Sequence, residues 1–205
     1  RLQDSKIRRR VLKEMTNPTD EWENLMYSAG TPDNLLLVGF ENDSLRHYTG
    51  KTLTQVAKIH GKSPEETAMD LVIADGSRVG TVYFLMSEES IKKQVALPYM
   101  SFGSDAGSLA PEGDFLNYNP HPRAYGNFSR LLGKYVRDEK VISLESAIHK
   151  LTGLSAEKLK IKGRGYLKKG YYADVVIFNP ETIQDHATFA KPHQLSTGVQ
   201  HVFVN

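Results

Sequence analysis

Cysteine is absent from the 205 residues. Its absence excludes a disulfide framework, a thiolate metal site and a cysteine nucleophile within this stretch of chain. It also fits a reducing compartment, and a cytoplasmic location is the expectation. Long hydrophobic runs are missing too: none approaches the roughly 18–20 residues that a membrane span requires. Charge of one sign is scarce, since 26 Lys and Arg against 24 Asp and Glu leave a formal +2. The aromatics are not interleaved with the basic residues, so neither mark of a nucleic-acid surface is present. The opening Arg1-Leu2-Gln3-Asp4 runs straight into a charged helical pattern and does not read as a signal peptide. What remains is ordinary globular composition, 40% hydrophobic and 24% charged, at a length suited to one or two domains.

The pattern along the chain alternates helices with strands. Ile7, Val11, Leu12 and Met15 fall at helical spacing behind Asp4 or Ser5 as a cap, and Asn17-Pro18 breaks that helix. Residues 22–27 and 34–40 read as short strands. Leu53, Val56, Ala57 and Ile59 predict a helix that ends at Gly61, and Ser63-Pro64-Glu65-Glu66 starts another. A strand over 81–86, a helix from Ser87 and a strand over 97–102 follow. The last of these is closed by the turn Gly103-Ser104-Asp105-Ala106-Gly107. A long polar loop over 108–122 leads to amphipathic helices over 125–136 and 143–151 and a short one from Ser155. Beyond residue 160 the texture changes to short strands, 173–178 and 198–204. Alternation of this kind predicts an α/β fold with a parallel sheet or barrel over residues 1–160, and a small β-domain over 161–205.

Asp105 is the strongest candidate for chemistry. In an α/β barrel the active site lies at the C-terminal ends of the strands. A carboxylate there can bind a metal ion or carry a proton from attacking water to a leaving amine. As a bare pattern, Gly-Ser-Asp-x-Gly is equally a turn stabilised by its aspartate. His121-Pro122-Arg123 is the second candidate, because arginine can hold a carboxylate through two parallel hydrogen bonds. The remaining histidines, His47, His60, His149, His186, His193 and His201, form neither a His-x-His pair nor a His-Glu-x-x-His helix and read as structural or surface residues. Arg8-Arg9-Arg10 and the basic residues 158–169 read as solvated faces.

In order, Gly103-Ser104-Asp105-Ala106, the run His121-Pro122-Arg123-Ala124-Tyr125-Gly126-Asn127-Phe128, and Leu132-Gly133-Lys134-Tyr135-Val136-Arg137 resemble the D-aminoacylase (N-acyl-D-amino-acid deacylase) type of metal-dependent amidohydrolase. Ser143-Leu144-Glu145-Ser146-Ala147-Ile148, Gly170-Tyr171-Tyr172-Ala173-Asp174-Val175-Val176-Ile177-Phe178, Asp185-His186-Ala187-Thr188-Phe189 and Val202-Phe203-Val204-Asn205 continue the series. The resemblance is strongest over residues 97–205 and looser over 1–96.

The resemblance implies the C-terminal part of a (β/α)8 barrel, with a segment inserted near the barrel mouth and strands of a small β-domain. It implies zinc-dependent hydrolysis of the amide of N-acyl-D-amino acids. Asp105 matches the aspartate that shuttles the proton and is a candidate metal ligand. Arg123, His121 and Ser104 fall on the substrate side, with Arg123 assigned to the substrate carboxylate. The family's remaining metal ligands come from earlier strands that this sequence does not contain. With a first residue other than Met and an end that reads as a strand stopped at its rim, the sequence is expected to be a piece of a longer protein. The 205 residues alone are expected to be inactive, their open edges covered by a second copy or by a missing N-terminal half. Two alternatives stand beside this: a cyclic-amide hydrolase of the dihydroorotase or hydantoinase type, and a non-catalytic assembly module. A small-molecule substrate is the expected partner, with neither nucleic acid nor membrane.

Overall fold

Asp4 starts the first helix by accepting hydrogen bonds from the backbone nitrogens of Lys6 and Ile7, which would otherwise have no intrahelical partner. The computed structural model in which this is seen describes residues 1–117 and 119–205. The chain divides into two compact units, one built on Arg1–Leu85 and the other on Met86–Leu116 and Pro120–Asn205.

The first unit holds helices α1 (Ser5–Thr16), α2 (Leu25–Ser28), α3 (Leu53–His60) and α4 (Pro64–Asp75), with strands β1 (Leu35–Gly39) and β2 (Gly80–Tyr83). Helices α1 and α4 begin on the predicted caps Asp4 and Ser63. Thr52 and Gln55 form a reciprocal capping box on α3, which ends on left-handed Gly61, and Ser63 accepts from the Glu66 nitrogen at the start of α4. The apolar faces of α3 and α4 close on β1, burying Leu35, Leu37, Leu53, Val56 and Leu71 around Phe40 and Tyr48.

Residues 22–27 differ from expectation. They form no strand, because the buried Asn24 caps α2 with its side-chain oxygen while its amide donates to the carbonyls of Glu14, Met15 and Asn17. One residue thus serves the frayed end of α1 and the start of α2 together.

The second unit holds α5 (Glu88–Ala96), α6 (Arg123–Arg130), a π-helical continuation over Leu131–Asp138, α7 (Leu144–Leu151), α8 (Gly153–Lys158) and strands β3 (Val175–Phe178) and β4 (Val199–Phe203). Its core gathers Val95, Leu131, Leu132, Tyr135, Ala147 and Ile183. Glu88, in the first turn of α5, accepts from both Lys134 and Tyr135, tying α5 to the π-helix. Those contacts hold the Glu88 carboxyl below its usual range. Burial, with Glu88 beside it, pushes the Tyr135 hydroxyl up to about 12.

Two expectations are corrected here. Both described sheets are antiparallel pairs, β1 with β2 and β3 with β4, so no parallel sheet forms among the described residues. Residues 97–102 are not a strand either. The chain turns at Pro98 and Tyr99, where the Met100 nitrogen donates to the Leu97 carbonyl at 3.2 Å, and no sheet among the described residues includes a partner for this segment. Of the loop expected over 108–122, Gly113–Asn117 is a short 3-10 turn and Tyr118 lies outside the described residues.

Gly198, immediately before β4, has φ +91°, and a Cβ there would stand 2.6 Å from the Ile183 nitrogen. Gly198→Ala combines a left-handed backbone with a collision against main chain. It is expected to destabilise the second unit by about 1–3 kcal/mol or more, read as a lowered midpoint in denaturant unfolding.

Candidate active site

The site is assembled from two loops that flank the start of α6. Residues 97–102 lead into Gly103-Ser104-Asp105, where Asp105 has φ +50°. Among residues with a Cβ, the left-handed region is entered most readily by Asn and Asp, so the turn suits the aspartate found there. The Ser104 hydroxyl accepts from the Ala106 nitrogen at 3.4 Å, closing the turn locally.

On the other side, α6 has Pro122 at its cap and no side-chain oxygen to serve it. The His121 ring takes that part: its Nδ1 accepts from the Arg123 nitrogen at 3.1 Å, which places the neutral ring's proton on Nε2. His121 also packs edge-on against Phe189, 5.0 Å between ring centres. Partial burial, with the Arg123 charge beside it, holds the imidazole below its ordinary pKa. A ring kept neutral can go on accepting from the backbone.

The two loops meet through charge. Arg123 Nη2 donates to Asp105 Oδ2 at 2.5 Å across eighteen residues of sequence. Three of the four predicted site residues are therefore linked: His121 to Arg123 and Arg123 to Asp105. Ser104 joins them only as the neighbour of Asp105. The pair is open to solvent, with the Asp105 side chain 85% and the Arg123 side chain 43% exposed, and exposed pairs of this kind contribute little to stability.

The other histidines of this unit serve the framework or lie on the surface. His186 bonds the Thr197 hydroxyl, His193 bonds the Phe115 carbonyl, His201 stacks on Phe203, and His149 is exposed. Among the described residues no three His, Asp or Glu side chains converge as a metal ion would require.

Neighbouring features were not legible beforehand. Asp185, whose side chain is 7% exposed, accepts from Arg130 at 3.0 Å and lies against Gly126 of α6. A Cβ on Gly126 would be 2.9 Å from the Asp185 Cβ, so the glycine permits the approach. The Tyr125 hydroxyl is buried with no hydrogen-bond partner among the described residues.

Comparison with known proteins sets this geometry in a lineage. A family model described as the amidohydrolase family matches residues 2–205. The chain belongs to the amidohydrolase family. Among curated relatives of this amidohydrolase, the D-aminoacylase of Alcaligenes xylosoxydans xylosoxydans is 38% identical over 157 residues, 77% of this chain and 30% of the relative. The N-acyl-D-aspartate deacylase of the same organism is 37% identical over 157 residues, 77% of this chain and 29% of its own. Among solved structures, the N-acyl-D-glutamate deacylase of Bordetella bronchiseptica, complexed with zinc and a phosphonate inhibitor that mimics the tetrahedral intermediate, superposes with a TM-score of 0.72 at 32% identity. That match covers 87% of this chain and 35% of the other. A D-aminoacylase structure gives 0.68 at 33% identity over 83% of this chain and 33% of its own. This amidohydrolase thus spans about 30% of the length of the curated relatives it matches. No described helix is long and apolar enough to cross a membrane.

Because Asn tolerates the left-handed backbone as Asp does and the ion pair is exposed, Asp105→Asn is expected to shift stability by less than about 1 kcal/mol. Thermal unfolding of the two proteins side by side checks this.

Proposed function

We propose that these residues form the C-terminal, proton-handling part of an N-acyl-D-amino-acid deacylase. The observation that carries the reading is the Asp105–Arg123 pair. It sets a carboxylate and a guanidinium side by side on loops that meet at the start of α6, in a chain related to deacylases along most of its length.

The chemistry follows from the two groups. Hydrolysis adds water to the acyl carbonyl, breaks the C–N bond and returns a proton to the departing amine. Asp105, as carboxylate, takes the proton from the attacking water and passes it to the amine nitrogen. Arg123 holds the α-carboxylate that every N-acyl amino acid bears, through a bidentate pair. His121 keeps Arg123 at the helix start, and Ser104 shapes the turn on the substrate side. The fold reading is that residues 1–160 contribute to a (β/α)8 barrel with a segment inserted near its mouth, and residues 161–205 to a small β-domain. On that reading 97–102 becomes a barrel strand once neighbouring strands flank it. The zinc named with the Bordetella relative belongs to this proposal as a requirement of the active protein, with its ligands mostly outside these residues. A cytoplasmic location and assembly with a second copy or an N-terminal half belong to it as well.

A non-catalytic assembly role is the second reading. The 205 residues alone, with zinc added, are expected to release little or no free amine from N-acetyl-D-amino acids. D-specific release above the buffer blank would show that the chain needs nothing further. In a hydrolytically active protein containing these residues, Arg123→Met should raise KM at least about tenfold while changing kcat little, and Asp105→Asn should lower kcat about 100-fold or more. Steady-state kinetics on both variants decide the roles, and the reverse pattern would exchange or remove them.

A further inference from the structure

Lys150 lies on α7 among apolar neighbours and is only 2% exposed. A lysine so deeply buried normally meets a carboxylate, because an isolated ammonium is costly to desolvate. Here the ammonium meets main-chain oxygens instead. Its Nζ donates to the carbonyl of Val95 at 2.5 Å and to that of Leu97 at 2.7 Å, and it stands 5.8 Å from the centre of the Phe102 ring. Burial pushes the ammonium below the ordinary lysine range.

The placement of these partners is informative. Val95 lies in the last turn of α5 and Leu97 caps it, where the helix dipole favours a cation and carbonyls lack intrahelical donors; the Leu97 carbonyl also accepts from the Met100 nitrogen at 3.2 Å. Phe102 is the last residue before Gly103-Ser104-Asp105. One ammonium therefore touches both ends of the segment 97–102, which among the described residues has no strand neighbour to hold it. A second lysine, Lys158 of α8, donates to the Tyr99 carbonyl in the middle of the same segment.

We propose that Lys150 is a positioning residue: by satisfying the carbonyls of Val95 and Leu97 and packing on Phe102, it fixes the segment 97–102 and so sets where the Asp105 turn stands. The pinning stands on the structure alone, and its bearing on catalysis rests on the deacylase reading. A displaced base loses rate steeply while substrate affinity is spared, since the α-carboxylate is held elsewhere.

The test compares wild type with Lys150→Met, which keeps the apolar stem, and Lys150→Arg, which keeps the charge. Amide hydrogen exchange of the 205-residue chain is the first readout. Lys150→Met should exchange about tenfold faster over residues 97–107, with α3 and α4 of the first unit unchanged, and Lys150→Arg should stay within about threefold of wild type. Should Lys150→Met not fold, Lys150→Gln is measured on the same terms. No change over 97–107 would overturn the proposal. So would a uniform loss of protection across the second unit in both neutral variants, which would make Lys150 a general core residue. The second readout is steady-state kinetics in a hydrolytically active protein containing these residues. Lys150→Met should lower kcat about tenfold to 100-fold with KM within about twofold, and Lys150→Arg should recover most of it. Localised loosening with an unchanged kcat would overturn the positioning role. If no deacylase activity is found at all, the functional reading fails and the exchange result alone decides the pinning.

Discussion

Carbonyl groups at the end of a helix must find donors, and at the end of α5 the donor is a buried ammonium. Lys150 reaches the carbonyls of Val95 and Leu97 from α7. The end of one helix, the face of another and the segment leading to Asp105 are thereby joined at a single nitrogen. Around that point the core residues Val95 and Ala147 and the half-buried Leu151 pack together, and hydrogen bonds in such apolar surroundings are costly to lose. The glutamate at the other end of α5 does comparable work on the surface, where Glu88 accepts from Lys134 and Tyr135. The helix is therefore fixed at both ends before the chain turns toward the candidate site.

The site is built differently. Asp105 and Arg123 are both exposed, and their pairing adds little to folding free energy. The turn holding Asp105 has an unusual backbone, and the arginine is placed by a histidine that caps its helix. Polar groups held in place by neighbours while remaining open to solvent are arranged for what they can touch.

Local structure was legible in the sequence wherever its cause is local. Asp4, Ser63, Ser87 and Ser143 predicted helix starts, and each caps its helix, because capping involves only the next three residues. β1 and β3 were legible as short apolar runs, and β4 as a stretch following the glycine turn at Gly198. Strand pairing was not, since a ladder depends on residues far away in sequence: 97–102 looks like a strand and has no neighbour, and 22–27 was claimed by the hydrogen bonds of Asn24. The candidate site was half legible. Asp105 and Arg123 stood out singly by residue type and order, but nothing in an eighteen-residue separation says that they touch. Lys150 carried one overlooked signal, a lysine set between Ala147 and Leu151 on an otherwise apolar stripe.

Gly126 and Gly133, seven residues apart, both face the segment around Ile183 and Asp185. A Cβ at Gly133 would stand 2.8 Å from the Ile183 carbonyl oxygen, much as one at Gly126 would meet Asp185. The spacing between this helix and the chain's closing stretch is consequently gauged by two hydrogen atoms. A methyl group at either place would act as a wedge, so drift at these positions is tied to compensating change at 183 and 185.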